Sequence, residues 1–327
     1  VNVLITGAAG FVGSHLVDAY LKRGDRVLAI DNFITGDAEN LAQARRSSNL
    51  QFLEMDVTRF DEIARKEVVA TFGVPELILH FASPASPIDY ANRPLETMRV
   101  NSLGTERCCE AALQWNARLL LASTSECYGD PLVHPQPESY WGNVNPVGPR
   151  SCYDESKRYG EALVSAFIRV HDIDARIIRI FNTYGPRMRL DDGRVVPNFV
   201  GQALRAEPLT IYGTGSQTRS FCYVSDLIEG ICACAASDHT RGLVVNLGNP
   251  EERTIREFAE AVCRIAHVEL RLDETTPLPI DDPTRRCPDI TLAKTLLGWS
   301  PQVNLDAGLR ETIQDFSRRL QGAALQS

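Results

Sequence analysis

The stretch whose reading decides the fold is VNVLITGAAGFVGSHLVDAYLKRGDRVLAID, Val1–Asp31. Residues Val1 to Ile5 form an apolar, strand-like run, the turn Gly7-Ala-Ala-Gly10-Phe-Val-Gly13 follows, and apolar residues then recur at helical spacing through Tyr20. A second strand, Arg26 to Ile30, ends at Asp31. Strand, glycine turn, helix, strand and acid in that order predict a βαβ unit. Glycines at the strand-to-helix turn let backbone N–H groups approach a pyrophosphate at the helix N-terminus, and a carboxylate at the end of the next strand can accept from both ribose hydroxyls. Asp31 also repels a 2′-phosphate, and Asn32 rather than an arginine follows it, so NAD is favoured over NADP. The expected cofactor contacts are Gly7, Gly10, Phe11, Val12 and Gly13 in the turn, Asp31, Asn32, Phe33, Thr35 and Gly36 after the second strand, and Asp56 and Val57 after the third. Asp56 suits either an adenine amino group or an ordinary turn.

Working outward, further strands are predicted near Gln51–Met55, Glu76–His80, Arg118–Ala122, Ala175–Ile180 and Leu243–Leu247, with helical patterns between most of them. This alternation predicts an α/β chain: a Rossmann-type, doubly wound parallel sheet with a smaller C-terminal substrate-binding lobe. The expected division is 1–180 for the cofactor domain with a return near 223–246, and 181–222 plus 247–327 for the lobe. Past Phe181 the prolines Pro186, Pro197, Pro208, Pro277, Pro279, Pro283, Pro288 and Pro301 break the chain into shorter elements.

Composition narrows the functional classes. A net charge of −8 gives no global positive field for nucleic acid. No apolar run approaches the roughly 20 residues of a membrane span, and the chain enters a strand at Val1, so a cytoplasmic protein is expected. The nine cysteines are odd in number, lack paired C-x-x-C spacing and have no neighbouring histidines, so they read as reduced thiols with no metal site.

Chemistry is concentrated in two stretches. In LASTSECYGD, Leu121–Asp130, an apolar strand ends in hydroxyls and one carboxylate, Glu126. A charge at the end of a buried strand is costly unless something pairs with it. In CYDESKRYGEALVSAF, Tyr153 and Lys157 stand four apart on one helical face. An ammonium beside a phenol, with the positive nicotinamide nearby, is expected to lower the phenol's pKa, so that Tyr153 can take a proton from a sugar hydroxyl. Only four residues, Lys22, Lys66, Lys157 and Lys294, are lysines, so thirty of the 34 cations are arginine. Lysine at 157 is therefore an exception, and a compact ammonium is not replaceable there by a guanidinium.

With Thr124, Tyr153 and Lys157 behind the glycine turn, the chain resembles the extended short-chain dehydrogenase/reductase superfamily of nucleotide-sugar enzymes. Five stretches resemble the UDP-glucuronate decarboxylase family more closely: HFASPASPIDY from His80, STSECYGDP from Ser123, YWGNVNPVGPRSCYDESKR from Tyr140, FNTYGPRM from Phe181 and DDPTRRCPDI from Asp281. The resemblance continues through LGWSPQVNLDAGL, Leu297–Leu309. It implies a redox-neutral cycle in which C4′ of UDP-glucuronate is oxidised, the β-keto acid loses CO₂ and the ketone is reduced to give UDP-xylose. It implies catalytic roles for Thr124, Glu126, Tyr153, Lys157 and Arg286, cofactor contact for Thr183, and substrate contacts for Tyr90, Asn182, Asn198 and Arg219. It also implies a homodimer packed as a four-helix bundle through segments near 95–115 and 152–170.

The chain departs from the family pattern at three places. Cys127 follows Glu126 where Val is usual, Cys287 stands beside Arg286 where Lys is usual, and Arg189 stands where His is often seen. Loss of a cation at 287 is expected to bear on carboxylate handling. Ser125 lacks the acid of a 4,6-dehydratase, so water elimination is disfavoured. The rival readings are a UDP-glucuronate 4-epimerase or another nucleotide-sugar epimerase or dehydratase, and a catalytically silent nucleotide sensor. Glu126 with Arg286 argues against the first, and retention of Tyr153 and Lys157 against the second.

Overall fold

The computed structural model describes residues 1–277 and 285–324, so Pro279, Pro283 and positions 281–284 of the DDPTRRCPDI stretch lie outside the described residues. The first half alternates strand and helix. It comprises β1 (Asn2–Thr6), α1 (Phe11–Lys22), β2 (Arg26–Asp31), β3 (Leu50–Glu54), α2 (Glu62–Thr71), β4 (Leu77–His80), α3 (Pro87–Asn92), α4 (Pro94–Arg99), α5 (Thr105–Trp115), β5 (Arg118–Thr124), α6 (Ser151–His171) and β6 (Ala175–Ile180). Shorter elements follow: β7 (Thr183–Tyr184), α7 (Val195–Leu204), β8 (Leu209–Tyr212), β9 (Thr218–Ser220), β10 (Cys222–Tyr223), α8 (Val224–Ala236) and β11 (Val244–Leu247). The chain ends with β12 (Glu252–Thr254), α9 (Ile255–Ala266), β13 (Leu272–Thr276), β14 (Arg285–Arg286), α10 (Thr291–Leu297) and α11 (Leu305–Ala324).

Seven strands form one parallel sheet in the order β11-β6-β5-β4-β1-β2-β3. Side chains of a strand alternate between faces, and here both faces are covered. Val3, Ile5, Val27 and Ala29 pack with Leu16, Val17, Leu227 and Ile231 of α1 and α8, while Leu4, Leu28 and Ile30 pack with Val68, Cys108, Ala112 and Val164 of α2, α5 and α6. Burying each such large aliphatic chain is worth about 1.5–3 kcal/mol. The double burial explains why these strands read as continuous apolar runs.

A third core joins Phe199, Val200, Leu209, Ile211, Phe221, Phe258, Val262, Leu309 and Phe316, from α7, α9 and α11 with β8. α8 and β11 return to the main sheet, as the pairing of β11 with β6 requires. Ile290, Ala293 and Trp299 also join the main-sheet core, so the segment after 247 contributes to both bodies. Strand order reverses between β1 and β4, and a ligand crevice is expected at the C-terminal ends of strands at such a switch point. Among the described residues no helix is long and apolar enough to cross a membrane.

Candidate active site

At that switch point lies a cavity of about 610 Å³. Its floor is made by the ends of β1, β2, β4 and β5, and its roof by residues of the smaller core, including Asn198, Phe199, Arg219 and Arg286.

The cofactor end is shaped by the glycine turn. Gly7 has φ +69°, and a Cβ there would lie 2.7 Å from the Ala82 nitrogen; one at Gly13 would lie 2.0 Å from the Gly7 carbonyl oxygen. Gly10 differs, because an added Cβ would meet only the Gly7 oxygen, at 3.2 Å, and would otherwise occupy the cavity. Gly10 is also the N-cap of α1, with no side-chain cap and no acid in the first turn, so the N–H groups of that turn are left for an anion. Asp31 accepts from the Ala9 nitrogen and the Phe33 nitrogen, each at 2.8 Å. Burial pushes its carboxyl up, and the backbone donors oppose the shift. A diphosphate cradle without side chains beside a buried acid fits a dinucleotide such as NAD. Gly7, Gly10, Phe11, Val12, Gly13, Asp31, Asn32, Thr35, Gly36, Asp56, Val57 and Thr183 all line the cavity. Phe33 does not: its ring packs on Phe52 at 5.3 Å, and its contribution is the N–H that orients Asp31. Asp56 caps a turn, accepting from the Thr58 nitrogen at 2.9 Å, and also accepts from the Asn32 amide at 3.2 Å.

The reactive end is assembled from β5 and α6. Thr124 closes β5 and accepts from the Glu126 nitrogen at 3.2 Å. Tyr153 and Lys157 sit in the first two turns of α6, with the ammonium 5.8 Å from the phenol ring centroid. Lys157 donates to the Ala122 carbonyl at 2.9 Å, and burial brings its pKa down to about 8. Burial raises the Tyr153 phenol, Glu126 adds to the rise, and only the Thr124 hydroxyl pulls the other way. Tyr90 stacks on Tyr153 at 5.1 Å with 10° between ring planes, and its buried hydroxyl has no partner among the described residues.

Glu126 has the partners that its position demands. Arg286 reaches both its oxygens, Nη1 to Oε1 at 2.5 Å and Nη2 to Oε2 at 2.9 Å, and Arg150 Nη2 donates to Oε2 at 2.6 Å. Burial opposes ionisation, but the Arg286 and Arg150 guanidiniums outweigh it and hold the carboxyl well below the usual range. Beside them Asp154 is shifted the other way, raised by burial and by the Glu126 charge. Asn182, Asn198, Arg219 and Tyr90 also line the cavity. Asn198 donates to the Gly193 carbonyl at 3.2 Å, and Arg219 to that of Thr218 at 2.9 Å.

Arg150 is a site residue that the sequence reading missed. It is the N-cap of α6, where the helix dipole disfavours a cation, and that misfit was the available signal. Arg189 was noted only as a departure; it lines the cavity and reaches Asp89 of α3 at 2.7 Å. The expectation that Cys287 alters carboxylate handling is corrected. Arg286 enters the cavity, whereas the Cys287 thiol faces away and donates to the Pro250 carbonyl at 3.3 Å. Cys127 is buried against Ser123, at 3.2 Å.

Residues 3–248 match the NAD dependent epimerase/dehydratase family. The chain is 50% identical over 321 residues to UDP-glucuronic acid decarboxylase 4 of Arabidopsis thaliana, covering 98% of this chain and 70% of the relative. It is 48% identical over 323 residues to UDP-glucuronic acid decarboxylase 1 of Danio rerio, covering 99% and 74%. Among solved structures, the UDP-glucuronic acid 4-epimerase of Bacillus cereus, in complex with UDP-glucuronic acid and NAD, superposes with a TM-score of 0.85 at 28% identity, covering 98% of this chain and 100% of that one.

Proposed function

The chain belongs to the NAD dependent epimerase/dehydratase family, and we propose that it converts UDP-glucuronate to UDP-xylose and CO₂ with NAD as a retained cofactor. The observation that carries this reading is the buried Arg286 guanidinium, held by Glu126 beside Thr124 and Tyr153 in one cavity. A cation excluded from water is the group that a sugar carboxylate needs in order to be held in one orientation. Relatives about half identical to this chain carry the decarboxylase name, whereas the epimerase structure is 28% identical.

The turn from Gly7 to Gly13 and Asp31 would hold NAD, which when bound would supply a hydride acceptor for C4′ and a donor after CO₂ loss, with no net consumption. Tyr153 takes the C4′ hydroxyl proton and gives it back, with Thr124 as its hydroxyl partner. Lys157 supplies positive charge beneath the phenol. Arg286 and Arg150 hold the carboxylate end, and once the carboxylate is gone they face the enolate. Glu126 orients the two guanidiniums and handles the proton delivered to C5′. Arg219 and Asn198 bind the diphosphate and nucleoside end.

The active unit is a homodimer. Leu95 and Met98 of α4, Leu113 of α5 and Tyr159 and Val170 of α6 are exposed apolar residues on the helices expected to pack across a twofold. Nine free thiols suit a reducing, cytoplasmic compartment. The test is incubation with UDP-glucuronate and NAD, following CO₂ and the mass of the nucleotide sugar. Loss of one CO₂ without net NADH is the expected result. A product of unchanged mass with inverted C4′ would make the chain an epimerase.

A further inference from the structure

Outside the cavity, three metal-ligating side chains converge from segments far apart in sequence. A ring nitrogen of His134, a carboxylate oxygen of Glu252 and the Cys287 sulfur all lie within 4.8 Å of one another. We propose that this cluster binds one divalent, thiophilic cation of the Zn²⁺ class, joining the 131–136 segment, β12 and β14 on the side of the protein facing away from Arg286.

The donor set is what such an ion selects. Thiolate, imidazole and carboxylate are the three protein ligands of zinc, and three of them with a water in the fourth position complete a tetrahedron. With bonds of about 2.0–2.3 Å, tetrahedral ligands stand about 3.3–3.8 Å apart, so small rotamer changes bring the cluster to that size. The surroundings favour it further. Thr218 donates to Oε1 of Glu252 at 2.6 Å, orienting the carboxylate as an outer-shell partner does. The other oxygen meets Nε2 of His134 at 2.8 Å, while Nδ1 is buried with no partner among the described residues, which tie the ring through one nitrogen. The Arg285 guanidinium, 3.8 Å from Glu252, is more than half exposed and free to swing outward.

The backbone is already fixed, because Gln136 bonds Cys287 in both directions at 2.9 Å. Sequence spacing hid this site, since His134, Glu252 and Cys287 share no short motif.

The experiment is anaerobic titration of the purified full chain with Co²⁺, followed by displacement with Zn²⁺. One Co²⁺ per chain, with thiolate-to-cobalt charge-transfer absorption, is expected, and Zn²⁺ should abolish the band and raise the melting temperature. Cys287→Ser should remove the band, and Cys152→Ser, which alters a thiol elsewhere, should leave it. His134→Gln and Glu252→Gln should each weaken Co²⁺ binding at least tenfold. These two variants decide the matter if Cys287→Ser fails to fold, provided that their metal-free melts match the parent. No charge-transfer band, a band that survives Cys287→Ser, or unchanged affinity in the two folded variants would overturn the proposal.

Discussion

Replacing Glu126 by Gln tests the reactive end most directly, because the change keeps shape and removes charge. Arg286 is 3% exposed, both of its Nη groups donate to this carboxylate, and its Nε has no partner among the described residues. In Glu126→Gln a buried guanidinium faces a neutral amide, and breaking a buried pair by removing one partner costs about 3–5 kcal/mol. Asp154, raised in part by the Glu126 charge, can ionise more easily once that charge is gone and recover some of the loss. The lower bound, about 3 kcal/mol, is therefore the expectation. At about 2 °C per kcal/mol for a chain of this size, the ligand-free melting temperature should fall by about 6 °C. UDP-glucuronate brings a carboxylate to the vacated position and should restore much of the loss, whereas UDP-glucose should not. The assay is thermal unfolding with NAD and each nucleotide sugar, beside the rate of CO₂ release, which should drop about 10²–10⁴-fold. An unchanged ligand-free melt, or equal rescue by UDP-glucose, would refute the reasoning that Arg286 is the carboxylate receptor held in readiness by Glu126.

Three further outcomes are expected. Gly10→Val should abolish NAD retention, read from the absorbance ratio of the purified protein, with a melt near the parent's, since the side chain would enter the cavity and meet no wall. Lys157 lies at about 8 in the folded chain against an ordinary 10.5, so between those values the unfolded chain binds the proton that the native lysine has released. Its contribution to stability therefore rises with pH through that window and is withdrawn below it, while activity that needs the ammonium falls above pH about 8; comparing Lys157→Met with the parent in melts and in pH–rate profiles should show the two trends diverging. Light scattering should find the proposed dimer in the parent and a monomer in Met98→Glu with Tyr159→Glu; a monomeric parent would refute the dimer, and a dimer that persists in the variant would move the interface elsewhere.

The sheet was legible because strands buried on both faces leave unmistakable apolar runs, and because the turn from Gly7 to Gly13 has no cheaper explanation than close backbone packing. Val3, Leu4 and Ile5 each found a core, one face after the other. The smaller body was less legible, since β9, β12 and β14 are two or three residues long and pair across large sequence separations. Such strands are defined by their partners rather than by their own pattern. Glu126 could be recognised as needing a partner, and the resemblance supplied Arg286. Arg150 gave only the weak signal of a cation where a helix begins, because its role depends on where α6 starts relative to β5, a matter of tertiary placement. Cys287 was read by adjacency to Arg286, although successive residues of an extended chain face opposite ways.

The proton affinities of the ligand-free site run opposite to those that catalysis needs, and this says where the activation must come from. Burial and the Glu126 charge both raise the Tyr153 phenol, while Lys157 is brought down to about 8. Both shifts work against a phenolate and an ammonium side by side on the strength of the surrounding protein groups alone. A group that must accept a proton only when substrate is present is well served by this arrangement. The positive charge that lowers the phenol has to arrive with the ligands, and the water that would compete for the proton has to leave with their binding. Glu126 contributes to the same restraint, because while it is bonded to Arg286 it raises the phenol and keeps the buried guanidinium paired. A substrate carboxylate that engages Arg286 loosens that grip at the moment the sugar hydroxyl reaches Tyr153. On the proposed mechanism, recognition of the substrate carboxylate and activation of the neighbouring base are linked through a single carboxylate, Glu126.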